Sequence, residues 1–167
     1  TRRSMGSVGA LWRVADGVRL GTSVSRAFRS PEFDELYSNG PHLAANSYDV
    51  GDPSLRAEKG LGVDAFVRVN RRRTSAEFAV FRSLLDNYVF PSSRGRIELG
   101  AQGGRPRFQF TNENAVFAGA EGRVEWSATP ALVFDLTASY VQAHFTSTRD
   151  SIPVITPDTS YFIGSSD

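Results

Sequence analysis

Five side chains between positions 37 and 52 carry the groups of this sequence that are best suited to binding a ligand. They are one imidazole, two phenols and two carboxylates, at Tyr37, His42, Tyr48, Asp49 and Asp52. Imidazole and carboxylate groups are common ligands of transition metals and of haem iron. The segment is therefore a candidate ligand-binding loop, with His42 as the candidate metal ligand. The alternative is a loop histidine that hydrogen-bonds a neighbouring side chain.

The composition argues against several other kinds of site. The chain has no cysteine, which excludes disulfide bonds, thiolate zinc sites and cysteine nucleophiles. It contains neither a Gly-x-Ser-x-Gly nor a His-Glu-x-x-His motif. Its 19 basic and 18 acidic residues give a net charge of +1, without the basic surface that binds nucleic acid. We therefore expect no enzymatic activity, no cofactor and no nucleic-acid partner.

The elements that position this loop are β-strands, because apolar and polar residues alternate with a period of two. Six runs show this alternation: 6–14, 18–28, 60–69, 75–89, 114–126 and 131–145. In the run 75–89, Phe78, Val80 and Tyr88 are assigned to the apolar face. Strands of ten or more residues exceed the usual five or six and suit a tilted crossing of a bilayer.

The connections between these strands alternate between short and long. Tight turns are predicted at Asp16-Gly17, 70–74 and 127–130, and long connections at about 29–58, 90–108 and 146–160. All long connections then lie at one end of the sheet, as in outer-membrane barrels. No run approaches 18 apolar residues, so no transmembrane helix is expected.

Aromatic residues near both ends of the strands indicate which environment the apolar face meets. Trp12 and Trp126 lie close to short turns, whereas Tyr88 and Tyr140 lie toward the long connections. Aromatic girdles flank the lipid-facing band of membrane barrels in this way. We therefore predict that the apolar face contacts lipid. The same aromatics packed in a core would be the alternative.

Six strands are too few to close a barrel with a water-filled interior, and an open sheet edge in lipid leaves backbone groups unpaired. The prediction is therefore an all-β, antiparallel up-and-down transmembrane β-barrel segment, about six strands of a larger barrel. Two alternatives stay open. One is a small self-contained outer-membrane barrel with an adhesion or structural role. The other is a soluble β-sheet binding module.

A set of motifs resembles the barrel of TonB-dependent outer-membrane receptors. The first third of the chain matches a phenylalanine–basic–x–proline run, an acidic-Leu-Tyr segment and a Gly-Asn/Asp-Pro-x-Leu-x-x-Glu-Lys segment. The matching positions are Phe28, Arg29, Pro31, Glu35, Leu36, Tyr37, Gly51, Asp52, Pro53, Leu55, Glu58 and Lys59. Further along, Asn114, Gly119 and Glu121 resemble a later strand of the same family. Glu58 and Lys59 are expected to be structural, where the loop re-enters the barrel.

The resemblance implies a 22-stranded barrel in the bacterial outer membrane. Residues 1–167 would then form part of that barrel, with the plug domain and the TonB box elsewhere in the protein. It further implies uptake of a scarce small ligand, such as a ferric siderophore, haem or zinc, bound at extracellular loops such as 29–58. The surroundings of His42 resemble the zinc- and haem-uptake branch. The expected partners are outer-membrane lipid, the TonB complex and the ligand itself, a metal chelate, haem or a metal ion.

Overall fold

The computed structural model describes residues 4–100, 103–148, 152 and 160–164, with the backbone alone for 94–100, 103 and 160–164. Within that part the chain forms strands and one short helix. They are β1 Gly6–Ala15, β2 Val18–Arg29, α1 Phe33–Tyr37, β3 Asn39–His42, β4 Ser47–Val50, β5 Glu58–Arg71, β6 Thr74–Gly100, β7 Gly103–Thr129, β8 Leu132–Phe145 and β9 Ser160–Gly164. Among the described residues, no helix is long and apolar enough to span a membrane.

The main sheet is antiparallel and open. Its strands follow the order β1-β2-β5-β6-β7-β8-β9, so β1 and β9 are its edges in the described part of the chain. All six predicted strands are present, which confirms the sequence-based prediction. The predicted long connection 146–160 lies largely outside the described residues. A sheet of this order that does not close fits a segment of a larger barrel.

The apolar side chains predicted to share a face do so, and that face is named the outward face here. Its register joins, for example, Val24 to Val63 and Val124 to Leu136. Large apolar side chains on it remain exposed, Leu136 by 49% and Val63 by 45%. In the described part of the chain they do not pack on a second layer, as a soluble sheet module would require.

Three of the four predicted girdle aromatics lie on the outward face. Trp12 pairs with Leu20, Trp126 pairs with Phe134, and Tyr140 pairs with Ala120. Trp12, Trp126 and Tyr140 are 51%, 49% and 64% exposed. Their positions near the two ends of the apolar band fit contact with both membrane interfaces.

The assignment of Tyr88 to the apolar face was wrong. The β6–β7 register shifts between Leu85 and Tyr88, and Asn87 adopts a left-handed backbone with φ of 55°. The extra residue at such a bulge turns the following side chains to the other face. Tyr88 therefore points inward, where its ring lies 5.5 Å from that of Phe117.

The long connection predicted over about 90–108 is present, but it is a paired ribbon and not an irregular loop. Strands β6 and β7 continue as an antiparallel ribbon, in which Phe90 pairs with Thr111 and Gly100 pairs with Gly103. Pro91 and Pro106 both lie within the ribbon, and proline in a strand is confined to edges and bulges. The ribbon is irregular, with a register shift between Ser93 and Ile97.

The inward face combines ion pairs with aromatic rings that lie over glycines. Arg68 pairs with Glu77, with 2.7 Å between Nη2 and Oε2. The ring of Phe81 lies against Gly119, where a Cβ would come within 2.6 Å of it and of the Tyr140 carbonyl oxygen. Gly119 therefore keeps its place because any side chain would collide with ring and backbone. Glu121, two residues on, is exposed on the same inward face.

Candidate ligand-binding loop

The connection between β2 and β5 is a folded structure, named the rim loop here and comprising residues 30–57. It contains helix α1 and the antiparallel hairpin of β3 and β4. The Glu32 side chain and the Glu35 side chain form a reciprocal capping box at the start of α1, which fixes the entry of the chain into the helix. A loop of this length is therefore ordered by its own secondary structure.

Arg29, the last residue of β2, joins the rim loop to the sheet. Its guanidinium donates hydrogen bonds of 2.8 Å to both carboxylate oxygens of Glu58, the first residue of β5. It also donates to both oxygens of Glu35 in α1, at 2.9–3.0 Å. Bidentate arginine–carboxylate pairs are both strong and geometrically specific. The two strand ends and the helix are thereby held by one side chain.

A fourth group completes this arrangement, which is named the Arg29 cluster. The backbone N–H of Val89 in β6 donates to Glu58 at 2.7 Å. The carboxylates are largely shielded, since the side chains of Glu35 and Glu58 are 15% and 12% exposed against 37% for Arg29. The motif positions Arg29, Glu35 and Glu58 therefore meet in one structural unit.

The Arg29 cluster makes the rim loop sensitive to acid. Burial opposes ionisation of Glu58, but the hydrogen bonds from Arg29 and the Val89 N–H outweigh it, so the Glu58 pKa lies below its ordinary 4.5. Both Arg29 and Glu58 lie beyond the apolar band. A carboxylate with a lower pKa in the folded state than in the unfolded state contributes its full stabilisation at pH values above the unfolded-state pKa. This stabilisation is lost as the pH falls through the folded-state pKa.

We therefore expect the amides of the rim loop to lose hydrogen-exchange protection as the pH falls from 7 to below 4.5. The measurement is made on the complete gene product that contains these residues, with intrinsic exchange rates corrected for pH. In Glu58→Gln, whose side chain does not titrate, the protection should start lower and change little. An equal pH dependence in both proteins would contradict this role of Glu58.

The end of α1 is held against the residues that lead back to β5. Gly51 N–H donates to the Ser38 carbonyl at 2.7 Å, and Asp52 N–H donates to the Glu35 carbonyl at 2.9 Å. The backbones approach so closely that a Cβ on Gly51 would lie 2.5 Å from the Leu36 carbonyl carbon. Among the motif positions, residue 51 must therefore be a glycine, because a side chain would not allow this close backbone contact.

Two asparagines of β7 bind the β6 bulge, and one of them also holds the other side of the rim loop. The Asn112 side chain accepts from the Arg56 N–H at 2.7 Å and donates to the Asn87 carbonyl at 2.7 Å. Asn114 accepts from the N–H of Asn87 at the β6 bulge, at 2.9 Å. Sequence reasoning noted Asn114 only as a motif position and missed Asn112, because the bulge that both serve has no local sequence signal.

The hairpin of β3 and β4 lies against the ribbon of β6 and β7. Strand β4 pairs in parallel with β7, Tyr48 opposite Arg107 and Val50 opposite Gln109. The rim loop and the ribbon therefore form one surface at the long-connection end of the sheet. Beneath it, the rings of Phe90 and Phe145 lie 4.4 Å apart on the inward side.

The predicted ligand-binding residues all lie in this rim loop, and most have local partners. His42 Nδ1 lies 2.8 Å from the Asp49 carboxylate, across the β3–β4 hairpin. Tyr48 donates from its hydroxyl to Asn39 at 3.1 Å. Asp52 accepts from the N–H and hydroxyl of Ser54, which lower its pKa.

Only part of the predicted set is brought together. His42 and Asp49 are adjacent, and Ser47, 2% exposed, donates to the second oxygen of Asp49 at 2.7 Å. Tyr37 instead packs against Phe33, with the two rings tilted by 48°, and is 58% exposed. In the described ranges no group of three or more histidine, cysteine, aspartate or glutamate side chains is arranged to hold a metal ion.

The remaining motif positions lie where the rim loop joins the strands. Pro31 and Leu36 are partly buried on either side of the start of α1, and Leu55 donates from its N–H to the Asp52 carbonyl at 3.2 Å. Pro53 is exposed in the same turn. Phe28 and Lys59 pair across β2 and β5 on the outward face, outside the rim loop itself.

Comparison with known proteins identifies the architecture. A family model described as TonB dependent receptor-like, beta-barrel matches residues 2–166. Among solved structures, the copper transporter OprC superposes with a TM-score of 0.72 at 20% identity, over 89% of this chain and 22% of that one. The siderophore receptor PirA from Pseudomonas aeruginosa gives 0.60 at 19% identity, over 83% and 26%.

The hemophore receptor HasR of Serratia marcescens, solved with its hemophore HasA and heme, also gives a TM-score of 0.60 at 19% identity, over 84% of this chain and 21% of that one. At these identities the likeness concerns the fold. The chain spans about a fifth to a quarter of the length of these solved proteins.

Proposed function

Since the chain belongs to the TonB-dependent receptor-like β-barrel family, we propose that it forms about six strands of a 22-stranded barrel that imports a scarce ligand. Members of this family are bacterial outer-membrane proteins and transporters rather than enzymes. The plug domain and the TonB box, through which the TonB complex would act, belong to other parts of such a protein. The open sheet supports this proposal, because both edge strands need a neighbour in lipid.

Within that receptor, the rim loop would contact the ligand on the extracellular side. The observation that carries this proposal is the fixing of a long, polar loop at three places on a rigid sheet: the Arg29 cluster, the Asn112 contacts and the pairing of β4 with β7. Binding residues concentrate on loops that a rigid scaffold holds in place. Preorganisation of this kind reduces the entropy lost on binding.

The chemistry of the loop favours a ligand that contains a metal. The Asp49 carboxylate holds His42 through Nδ1, which leaves Nε2 for a ligand. Metal-binding histidines commonly use one ring nitrogen for a carboxylate and the other for the metal. The His42 side chain is 54% exposed, so a ligand can reach it. Tyr37, Tyr48 and Asp52 would add contacts to the organic part of a haem or siderophore.

We expect His42→Ala to weaken binding of the metal-containing ligand at least tenfold. The complete gene product in detergent is titrated calorimetrically with three probes, namely Zn²⁺, haemin and a ferric catecholate. Asp49→Asn should weaken the same binding by about tenfold, because the loss of such a partner typically costs 10–100-fold in metal affinity.

The matched control is His144→Ala, which removes the other histidine from β8 and should leave the affinity unchanged. Equal affinity of His42→Ala and the wild type for a probe that binds would rule out His42 as its ligand. If none of the three probes binds measurably while the receptor still supports uptake into cells, its ligand is a different molecule.

A further inference from the structure

In the described part of the chain, three basic side chains lie toward the long-connection end of the outward face, which is otherwise mainly apolar. In the register, Arg82 pairs with Val63 and Arg26 pairs with Leu61. Lys59 is the next outward-facing residue of β5, on the long-connection side of Leu61. All three are exposed, and none makes an ion pair or hydrogen bond with a described residue. A cation that faces hydrocarbon is costly, so such residues usually have a specific role.

Arg82 lies at the height of a membrane interface. Thr74, at the start of β6, pairs with Trp126 at the short-turn end. Arg82 lies eight positions along the same strand, which corresponds to roughly 26 Å of strand and roughly 20 Å of height at a tilt of about 40°. The apolar band of an outer-membrane barrel is about 25 Å tall. The long side chain therefore reaches the head groups on the far side.

The heights of the other residues near the membrane interfaces agree with a tilt of the strands. Following the paired residues from Trp12 across β2, β5 and β6 leads to one residue of β7. Trp126 lies four positions from that residue, on the side nearer the short turns. Rows of paired residues are therefore not parallel to the membrane. Relative to these rows, the membrane boundary moves toward the short turns from β1 to β8. On the opposite boundary, Arg26 lies one outward row above Arg82, and Tyr140 lies one outward row below it. Both boundaries descend in the same direction, as interfaces of one bilayer must.

A groove beside two of these cations offers space for a bound molecule. It has a volume of about 330 Å³, and its lining includes Arg26, Lys59, Leu61 and Asp86. Lys59 stands opposite Asp86 in the register without forming an ion pair with it. Three cations, counting Arg82, and one carboxylate leave a local charge of +2. The groove therefore combines apolar walls with an excess of positive charge.

We propose that Arg26, Lys59 and Arg82, named the basic patch, bind the phosphate groups of an anionic lipid in the leaflet on the long-connection side. Guanidinium groups bind phosphate oxygens bidentately, and lysine adds a point charge. The leucine side chains of the groove would accommodate an acyl chain. A phosphorylated lipid complements both the charge and the apolar surface, whereas a free anion complements only the charge. This site is separate from the rim loop and its ligand.

The test is lipid binding by the complete gene product in detergent, measured by thermophoresis with bisphosphorylated lipid A as the probe. The variant Arg26→Gln/Lys59→Gln/Arg82→Gln should bind at least tenfold more weakly, since each cation near an anionic lipid surface contributes about fivefold in affinity. The charge-conserving variant Arg26→Lys/Arg82→Lys should bind more tightly than this triple variant but more weakly than the wild type, because lysine keeps the charge and loses the bidentate geometry.

The matched control is Arg71→Gln/Arg72→Gln/Arg73→Gln, which removes the same charge at the short-turn end and should bind like the wild type. Equal weakening by this control, or equal binding of lipid A stripped of its phosphates, would overturn the proposal. Competition by inorganic phosphate at the affinity of the lipid would reassign the patch to free anions. Calorimetric binding of the rim-loop ligand should be the same in all these variants, so this test and that of the proposed function fail independently.

Discussion

Replacing Arg29 with methionine should detach the rim loop from the sheet while the strands stay paired. Methionine keeps much of the apolar stem but removes all the guanidinium hydrogen bonds to Glu35 and Glu58. Loss of one partner of a fully buried ion pair costs about 3–5 kcal/mol. Arg29 is 37% exposed, so water screens part of the effect and we expect about 2 kcal/mol.

Hydrogen exchange on the complete gene product measures this effect segment by segment. Amides of α1 and of the β3–β4 hairpin should exchange about thirtyfold faster, which corresponds to about 2 kcal/mol, whereas amides of β5 between Leu61 and Val69 should not change. The control is Arg123→Gln, which removes a solvent-exposed pair with Asp135 from the inward face. It should leave exchange in the rim loop unaltered, because exposed ion pairs contribute little. Unchanged exchange in Arg29→Met would show that the cluster does not hold the loop.

The strands could be predicted from sequence because burial, or exposure to lipid, acts on alternate residues and leaves a period of two. The predicted face was correct for all six strands, except beyond Leu85 in the run 75–89. There the prediction failed, because a bulge is formed by a contact that is distant in sequence: Asn87 turns to the left-handed region as Asn114 accepts its N–H. The alternation of apolar and polar residues contains no information about such a contact.

The ribbon over 90–108 was missed for a related reason. Its glycines and prolines are local turn signals, whereas its strand pairing is a property of two segments together. Prolines at 91 and 106 are tolerated because the register is already interrupted near Ser93. Local chemistry therefore indicated a loop where the neighbouring chain provided a partner.

The motif positions of the rim loop could be located from sequence, but their contacts could not. Arg29, Glu35 and Glu58 stand out as a motif, yet only the structure shows that one guanidinium joins both carboxylates. For His42 the residue types predicted either a ligand or a local hydrogen bond. The contact with Asp49 supplies the local bond, whereas a ligand role of the other ring nitrogen stays a prediction.

Gly51→Ala should disrupt the rim loop, and Gly40→Ala in the same loop should not. The new Cβ at position 51 would lie 2.5 Å from the Leu36 carbonyl carbon and the Tyr37 nitrogen, and 2.7 Å from the Leu36 carbonyl oxygen. All of these atoms belong to the backbone and cannot rotate away. The substitution must therefore separate the segment from α1 and lengthen the 2.7 Å hydrogen bond from Gly51 to Ser38.

The expected cost is about 2 kcal/mol, within the range of 1–3 kcal/mol found for overpacked sites. At position 40 a Cβ meets nothing within 4 Å, so Gly40→Ala controls for the general effect of adding a methyl group to the loop. Limited trypsin digestion of the complete gene product provides the measurement, because the Arg56 N–H is held by Asn112 only while the loop is docked. Cleavage after Arg56 should accelerate in Gly51→Ala and stay at the wild-type rate in Gly40→Ala. Equal rates in the two variants would mean that the close approach of Gly51 to α1 does not hold the loop in place, and the fixed presentation of His42 would then have to depend on the Arg29 cluster and the pairing of β4 with β7.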